Sequence, residues 1–122
     1  MEFGQIHHVE YYVNDLSTTK NFWGWFLEKF DYVEYQKWDT GISYAHKNKT
    51  YIVFVEVEAK YRELVNNRQA AGLNHIAFKG RDQNSLRELV QELQQMNIKI
   101  QTQRDDAICF IDPNNFAVEV FC

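Results

Sequence analysis

His8 opens the stretch HHVEYYV, His75 opens NHIAF, and Glu119 sits inside the closing stretch FAVEVFC. Side chains of a strand alternate between its two faces. In the first stretch Val9, Tyr11 and Val13 therefore share one face, and His8, Glu10 and Tyr12 share the other. In the second, Ile76 and Phe78 form the apolar face and His75 and Ala77 lie opposite. In the last, Val118 and Val120 are apolar partners, leaving Ala117, Glu119 and Phe121 on the other side. His8, His75 and Glu119 thus hold one phase, on the face away from the apolar set. Imidazole, imidazole and carboxylate are a facial ligand set for Mn(II), Fe(II), Ni(II) or Zn(II), with positions left open for water or a substrate. A divalent cation would also compensate a carboxylate placed in partly apolar surroundings. Taken singly, each residue has an ordinary explanation, a hydrogen-bonded strand histidine or a solvated glutamate. Their common phase is what selects them. His7 points the other way, so only His8 of the adjacent pair is the candidate.

Other residues on that face suggest further chemistry. Glu10, two positions from His8, is a candidate general base for a proton next to a chelated carbonyl; a solvated or salt-bridged carboxylate is the alternative. Tyr12 and Trp38 are candidates to line a substrate pocket, against core packing or a dimer contact. His46 falls near a turn and reads as a surface residue. Trp23 and Trp25 are two positions apart and cannot share one narrow helical stripe, so Trp23 reads as core and Trp25 as partly exposed. KYRELVNNR, residues 60–68, reads as a charged linker face serving solubility.

What positions these residues is an internal repeat. Setting residue n against n+67 pairs His8 with His75, Tyr11 with Phe78, Asp15 with Asp82, Phe22 with Leu89, Phe26 with Leu93 and Val33 with Ile100. Beyond about residue 40 the offset becomes 66, pairing Ile42 with Ile108, Tyr44 with Phe110, Ile52 with Val118 and Phe54 with Val120. Each half reads as strand, helix, then three strands, at about 32–38, 41–46 and 50–57 and again at 98–103, 107–111 and 116–121. The first helix carries Phe22, Trp23, Phe26, Leu27 and Phe30 after a polar start at Asp15 to Ser17. The second carries Leu86, Leu89, Val90, Leu93 and Met96, with Ser85 as N-cap in capping-box spacing to Glu88, or an earlier start at Asp82. DPNN, residues 112–115, is turn chemistry. Residues 58–72 read as a linker with about two helical turns. The organisation is one domain over 1–122, with module one at 1–57, the linker at 58–72 and module two at 73–122.

Composition excludes several function classes. The chain has 122 residues, 45% hydrophobic and 16% aromatic, enough to bury a core. A net charge of −4, with no basic run, argues against nucleic-acid binding. No signal-peptide pattern or membrane-length apolar run is visible. Two cysteines, Cys109 and Cys122, are too few for a disulfide scaffold, so a reduced cytoplasmic protein is expected.

The paired βαβββ order, with HHV and NHIAF opening the halves and DPNNFAVEV closing the second, resembles the vicinal oxygen chelate superfamily of glyoxalase I, bleomycin-resistance proteins, extradiol dioxygenases, methylmalonyl-CoA epimerase and fosfomycin-resistance thiol transferases. The resemblance implies an α+β fold: two βαβββ modules forming a curved, mostly antiparallel, cup-like sheet with helices outside. It also implies a divalent metal inside the cup that chelates adjacent substrate oxygens, with His8, His75 and Glu119 at the matching ligand positions. A homodimer is expected, with a small molecule as substrate or ligand and neither nucleic acid nor membrane as partner. The fourth ligand of glyoxalase I and the epimerase falls at Val53, which cannot bind metal, while Glu56 has the opposite phase. A four-ligand glyoxalase I mechanism is therefore disfavoured. Phe116 and the short stretch before the last strand depart from the fosfomycin enzymes, and the additional histidine and tyrosine of the dioxygenases have no counterpart. Two functions remain: a metal-dependent lyase, isomerase or transferase acting on a small metabolite, or a metal-free small-molecule binder of the bleomycin-resistance kind.

Overall fold

The computed structural model describes residues 2–122, and they divide into two compact units, one ending at Leu64 and the other spanning Val65–Cys122. The first unit contains β1 (His8–Val13), α1 (Leu16–Glu28), β2 (Tyr32–Trp38), β3 (Gly41–His46) and β4 (Tyr51–Glu56). The second contains β5 (Ile76–Lys79), α2 (Gln83–Gln95), β6 (Lys99–Gln103), β7 (Ala107–Ile111) and β8 (Ala117–Phe121). The sheets have strand orders β1-β4-β3-β2 and β5-β8-β7-β6. In each, the first strand pairs in parallel with the last and the other pairs are antiparallel. The fold is α+β, a βαβββ unit twice. Among the described residues no helix is long and apolar enough to cross a membrane.

The repeat extends to the hydrogen-bond register. Val9 lies opposite Ile52 as Ile76 lies opposite Val118, and Ser43 opposite Val53 as Cys109 lies opposite Glu119. Register also corrects where the single-residue difference falls. Glu34, not Val33, corresponds to Ile100, because Glu34 pairs Tyr44 as Ile100 pairs Phe110. Left-handed backbone at Asp31 (φ 66°) matches Asn97 (φ 60°) at an offset of 66, whereas the helix C-caps Lys29 and Met96 still match at 67. The extra residue of the first unit is thus at Phe30, ahead of β2. Bulges recur as well, leaving Tyr35 unpaired between Glu34 and Gln36, and Gln101 unpaired between Ile100 and Thr102.

Both helices start on an aspartate. The Asp15 carboxylate accepts the Thr18 N–H at 2.9 Å and the Asp82 carboxylate accepts the Ser85 N–H at 2.8 Å. Ser85 is therefore not the N-cap. A carboxylate makes the stronger, charge-assisted bond and favours the positive end of the helix. Phe22, Trp23, Phe26 and Leu27 bury on α1, and Leu86, Leu89, Val90 and Leu93 on α2. Phe30 and Met96 fall beyond the helix ends, and Met96 is exposed. Tyr11, Val13, Ile52 and Phe54 in the first unit, and Phe78, Val118 and Val120 in the second, are buried on the expected apolar face. Phe54 anchors an aromatic cluster, stacked on Tyr11 at 5.6 Å and packed on Trp23 at 5.1 Å. Residues 58–72 form a single 3-10 turn at Ala59–Tyr61 in place of two helical turns.

Two predictions follow from this packing. Phe54→Ala should cost about 3–5 kcal/mol of stability by denaturant unfolding, because the fully buried ring would leave a cavity beside Tyr11, Trp23 and Tyr44. The caps set an acid limit. Backbone N–H donation, from Thr18 to Asp15 and from Ser85 to Asp82, holds both carboxyls below their ordinary value of 3.8. Their stabilisation is complete above 3.8 and disappears as pH falls through the lowered folded-state values. Asp15→Ala and Asp82→Ala should lower Tm at neutral pH and leave it unchanged at the acid end of a pH series.

Candidate metal site and the face that carries it

His75 and Glu119 come together in the second unit. Parallel register puts Ala77 opposite Glu119, so His75, two residues earlier on the same face, stands beside the carboxylate. His75 Nε2 lies 3.9 Å from Glu119 Oε2, with both side chains about one-third exposed (37% and 31%). The other ring nitrogen is occupied, with His75 Nδ1 2.7 Å from Asn74 Oδ1. An amide oxygen only accepts, so Asn74 suits a ring that donates from Nδ1, and such a ring, when neutral, turns the lone pair of Nε2 to Glu119. The gap to the carboxylate is too long for a direct hydrogen bond. Adjacent ligands of a facial set with bonds of about 2 Å stand about 3 Å apart, so a cation would draw the two groups together by about an ångström. The donor types fit a divalent cation, and an oxygen acceptor on the far nitrogen is a support of the kind ligating histidines have.

His8 lies in the first unit, where its neighbour in sequence also meets its Nδ1. Its Nδ1 is 2.9 Å from His7 Nδ1, and its ring stacks on Tyr51 at 4.7 Å with the planes 4° apart. His7 occupies the place that Asn74 holds in the repeat. Its backbone phase is opposite to that of His8, yet its ring reaches back to fix its neighbour. Among the described residues no three His, Cys, Asp or Glu side chains are placed to hold a metal ion, so the structure brings together His75 and Glu119 but no complete ligand set.

Glu10, Tyr12 and Trp38 share the His8 face. Glu10 is exposed and sits opposite Val53. Tyr12 is 71% exposed and Trp38 42% exposed, so neither is core. Register places Tyr12 opposite Val55, which pairs Gly41, which pairs Trp38. The Trp38 indole lies over Gly41 so closely that a Cβ there would overlap the ring. Trp23 is fully buried, while Trp25 is half-buried with Lys29 Nζ 4.9 Å above its ring. His46 lies at the end of β3, where its Nδ1 accepts the Asn48 N–H at 3.1 Å, as Asp112 accepts the Asn114 N–H at 2.9 Å in the second unit.

Val53 is buried at 3% exposure in the place of Glu119. No bulge in β4 brings Glu56 to that face, and Glu56 is committed elsewhere. Its carboxylate accepts the Leu16 N–H at 2.8 Å and pairs with Arg62 at 2.9 Å. The carboxylates are reciprocally placed, with Glu10 opposite Val53 in one unit and Ala77 opposite Glu119 in the other.

Sequence reasoning passed over Cys109, Asn74 and Arg68. Cys109 pairs directly with Glu119. Burial pushes its thiol up, the Glu119 charge pushes it further, and Arg68 pulls it back. KYRELVNNR is more than a solubilising face, since Arg62 binds Glu56 and Arg68 Nε donates to Asn115 Oδ1 at 3.1 Å. A cavity of about 280 Å³ lined by Leu86, Val90, Arg104 and Ile108 among others holds none of the candidate residues.

The Glyoxalase/Bleomycin resistance protein/Dioxygenase superfamily matches residues 7–110. The chain belongs to that superfamily. A candidate glyoxalase from Bacillus halodurans is 34% identical, with a TM-score of 0.90 over 98% of this chain and 96% of that one. The uncharacterized protein YqjT of Bacillus subtilis is 47% identical over 73 residues, 60% of this chain and 56% of that protein. The matched stretch spans little more than half of that relative. The fosfomycin resistance protein FosX of Listeria monocytogenes, solved with Mn(II) and sulfate, shares the fold at a TM-score of 0.71 and 19% identity, over 99% of this chain and 91% of that one.

The Trp38 contact predicts that Gly41→Ala will displace the indole. Its fluorescence should shift to the red, and that change should be absent when the substitution is made in a Trp38→Phe background.

Proposed function

We propose that the protein is a divalent-metal-dependent lyase, isomerase or transferase, with His8, His75 and Glu119 holding the metal. The observation that carries this reading is the pair His75 and Glu119, an imidazole nitrogen and a carboxylate oxygen 3.9 Å apart with the far ring nitrogen against Asn74. The same superfamily contains FosX, whose structure holds Mn(II). When bound, the metal would act as a Lewis acid on two adjacent oxygens of a small metabolite and stabilise developing negative charge there. Glu10 would take the proton from the carbon beside the polarised carbonyl. Tyr12 and Trp38, exposed on the Glu10 face, would cover the apolar part of the substrate. Asn74 and His7 would fix the ring orientations of the two histidine ligands. With Val53 at the fourth position, three protein ligands leave more of the metal open than the four of glyoxalase I.

Thermal-shift titration with Mn(II), Fe(II), Ni(II) and Zn(II) tests the ligand set. Wild type should gain Tm with at least one metal, and His8→Ala, His75→Ala and Glu119→Ala should each lose that gain. Asn74→Ala should weaken metal binding roughly 10- to 100-fold without abolishing it. No metal-dependent rise in wild type would overturn the proposal and leave a metal-free small-molecule binder. Glu10→Gln should retain metal binding, and loss of activity on a vicinal-oxygen substrate would then assign it to proton transfer.

A further inference from the structure

The two units are near-copies, so the places where the second departs from the first are informative. One departure surrounds Arg68. Its Nε donates to Asn115 Oδ1 at 3.1 Å. With the Gln101 amide oxygen turned toward it, Nη1 and Nη2 each donate to that oxygen at 3.2 Å. Asn115 is itself fixed, because its Nδ2 donates to Asn66 O at 2.7 Å and its own carbonyl accepts from Asn66 Nδ2 at 2.9 Å. The first unit has Lys49 where Asn115 stands and Tyr35 where Gln101 stands, so this cradle exists in the second unit alone.

Its location is set by the bulge in β6. Ile100 pairs Phe110 on the helix side, Thr102 pairs Cys109 on the opposite side, and Gln101 is the extra residue between them. Cys109 pairs Glu119, and the Arg68 charge acts on the Cys109 thiol. The cradle that Gln101 and Asn115 make for Arg68 thus stands at the bulge, beside the Thr102–Cys109–Glu119 row of the sheet. Both of its partners are neutral amides. Among the described residues the ion pairs involve Lys47, Lys60, Arg62, His75 and Arg104, and none involves Arg68. A guanidinium has five N–H donors, and the two amides take three of Arg68's, leaving two. A partly buried guanidinium that is positioned by neutral acceptors and has donors to spare is built to bind an anion from outside the chain.

We propose that Arg68, held by Asn115 and Gln101, recognises an anionic group of the substrate, a carboxylate or a phosphate separate from the two chelated oxygens. The substrate is then an anionic metabolite with a vicinal oxygen pair at one end and the acid group at the other. The inference rests on the metal-site reading for the placement of the chelated oxygens, whereas the anion site lies wholly within residues 65–122.

Two ligand pairs isolate the extra anion: L-malate against L-lactate adds a carboxylate, and dihydroxyacetone phosphate against hydroxyacetone adds a phosphate. Calorimetry on the Mn(II)-loaded protein should show one charged member binding about tenfold or more tighter than its partner, and the pair that shows the gain identifies the acid group. Arg68→Gln should collapse the ratio toward one. Gln101→Glu should do the same with Arg68 still present, because the new carboxylate would neutralise the guanidinium within an intact cradle. No gain in either wild-type pair, or a gain that survives both substitutions, overturns the inference while leaving the metal reading standing. Should the protein bind no metal, the Arg68 Nε–H NMR resonance of the metal-free protein decides. A saturable shift with malate or dihydroxyacetone phosphate, but not with lactate or hydroxyacetone, sustains the anion site after the metal reading has failed, and no such shift overturns it.

Discussion

A slip of one residue between β5 and β8 would turn Glu119 into the core beside α2 and push Val118 and Val120 out toward solvent. Parallel pairing of Ile76 with Val118 and Phe78 with Val120 prevents it, because the apolar side chains of both strands must meet the same helix-facing core. That hydrophobic requirement is what brings the Glu119 carboxylate beside His75. The chemistry of this face is thus a by-product of burying the other one. No separate interaction is needed to recruit the two ligand candidates, only a register that the core already imposes. The contribution left to polar groups is orientation. Asn74 meets the far nitrogen of His75, and His7 meets Nδ1 of His8.

The repeat shows which features belong to the scaffold and which to function. Aspartate N-caps, left-handed residues after the helices, bulges in the second strands and side-chain caps in the last turns recur in both units. These features solve problems of chain geometry that both copies share. On the side of the sheets away from the helices the two units differ in chemistry. Val53 gives way to Glu119, Ser43 to Cys109, Tyr35 to Gln101, and Glu10 to Ala77. The first unit sets Tyr12, Tyr51 and the single carboxylate of Glu10 around His8, while the second gathers charge and hydrogen-bonding groups around His75.

The strand phases were legible in the sequence because alternation leaves little freedom. Tyr11, Val13, Phe78, Val118 and Val120 are buried where their spacing put them, and His8, Glu10 and Glu119 lie opposite. Helix starts were less so. Ser85 with Glu88 has the spacing of a capping box, and only the competition with the Asp82 carboxylate decides the cap. The single-residue offset was misplaced by about ten positions, since the side chains of β2 are largely exposed and carry almost no phase information. Arg68 and Gln101 were not legible at all. Their roles depend on a bulge and on a contact between the segment before β5 and the turn between β7 and β8, neither of which leaves a periodic trace. The contact of His7 with His8 was not legible either, because backbone phase says where a side chain starts, not how far its ring can reach.

Metal binding turns on the protonation of one ring, so the most direct test is a long-range ¹H–¹⁵N NMR spectrum of His75 at pH 8, recorded with and without Zn(II). A metal site requires a proton on Nδ1, an unprotonated Nε2, and a large Nε2 shift on addition of the metal that Glu119→Ala abolishes. A proton on Nε2, or an Nε2 resonance indifferent to metal, would mean that His75 and Glu119 satisfy each other and hold no metal.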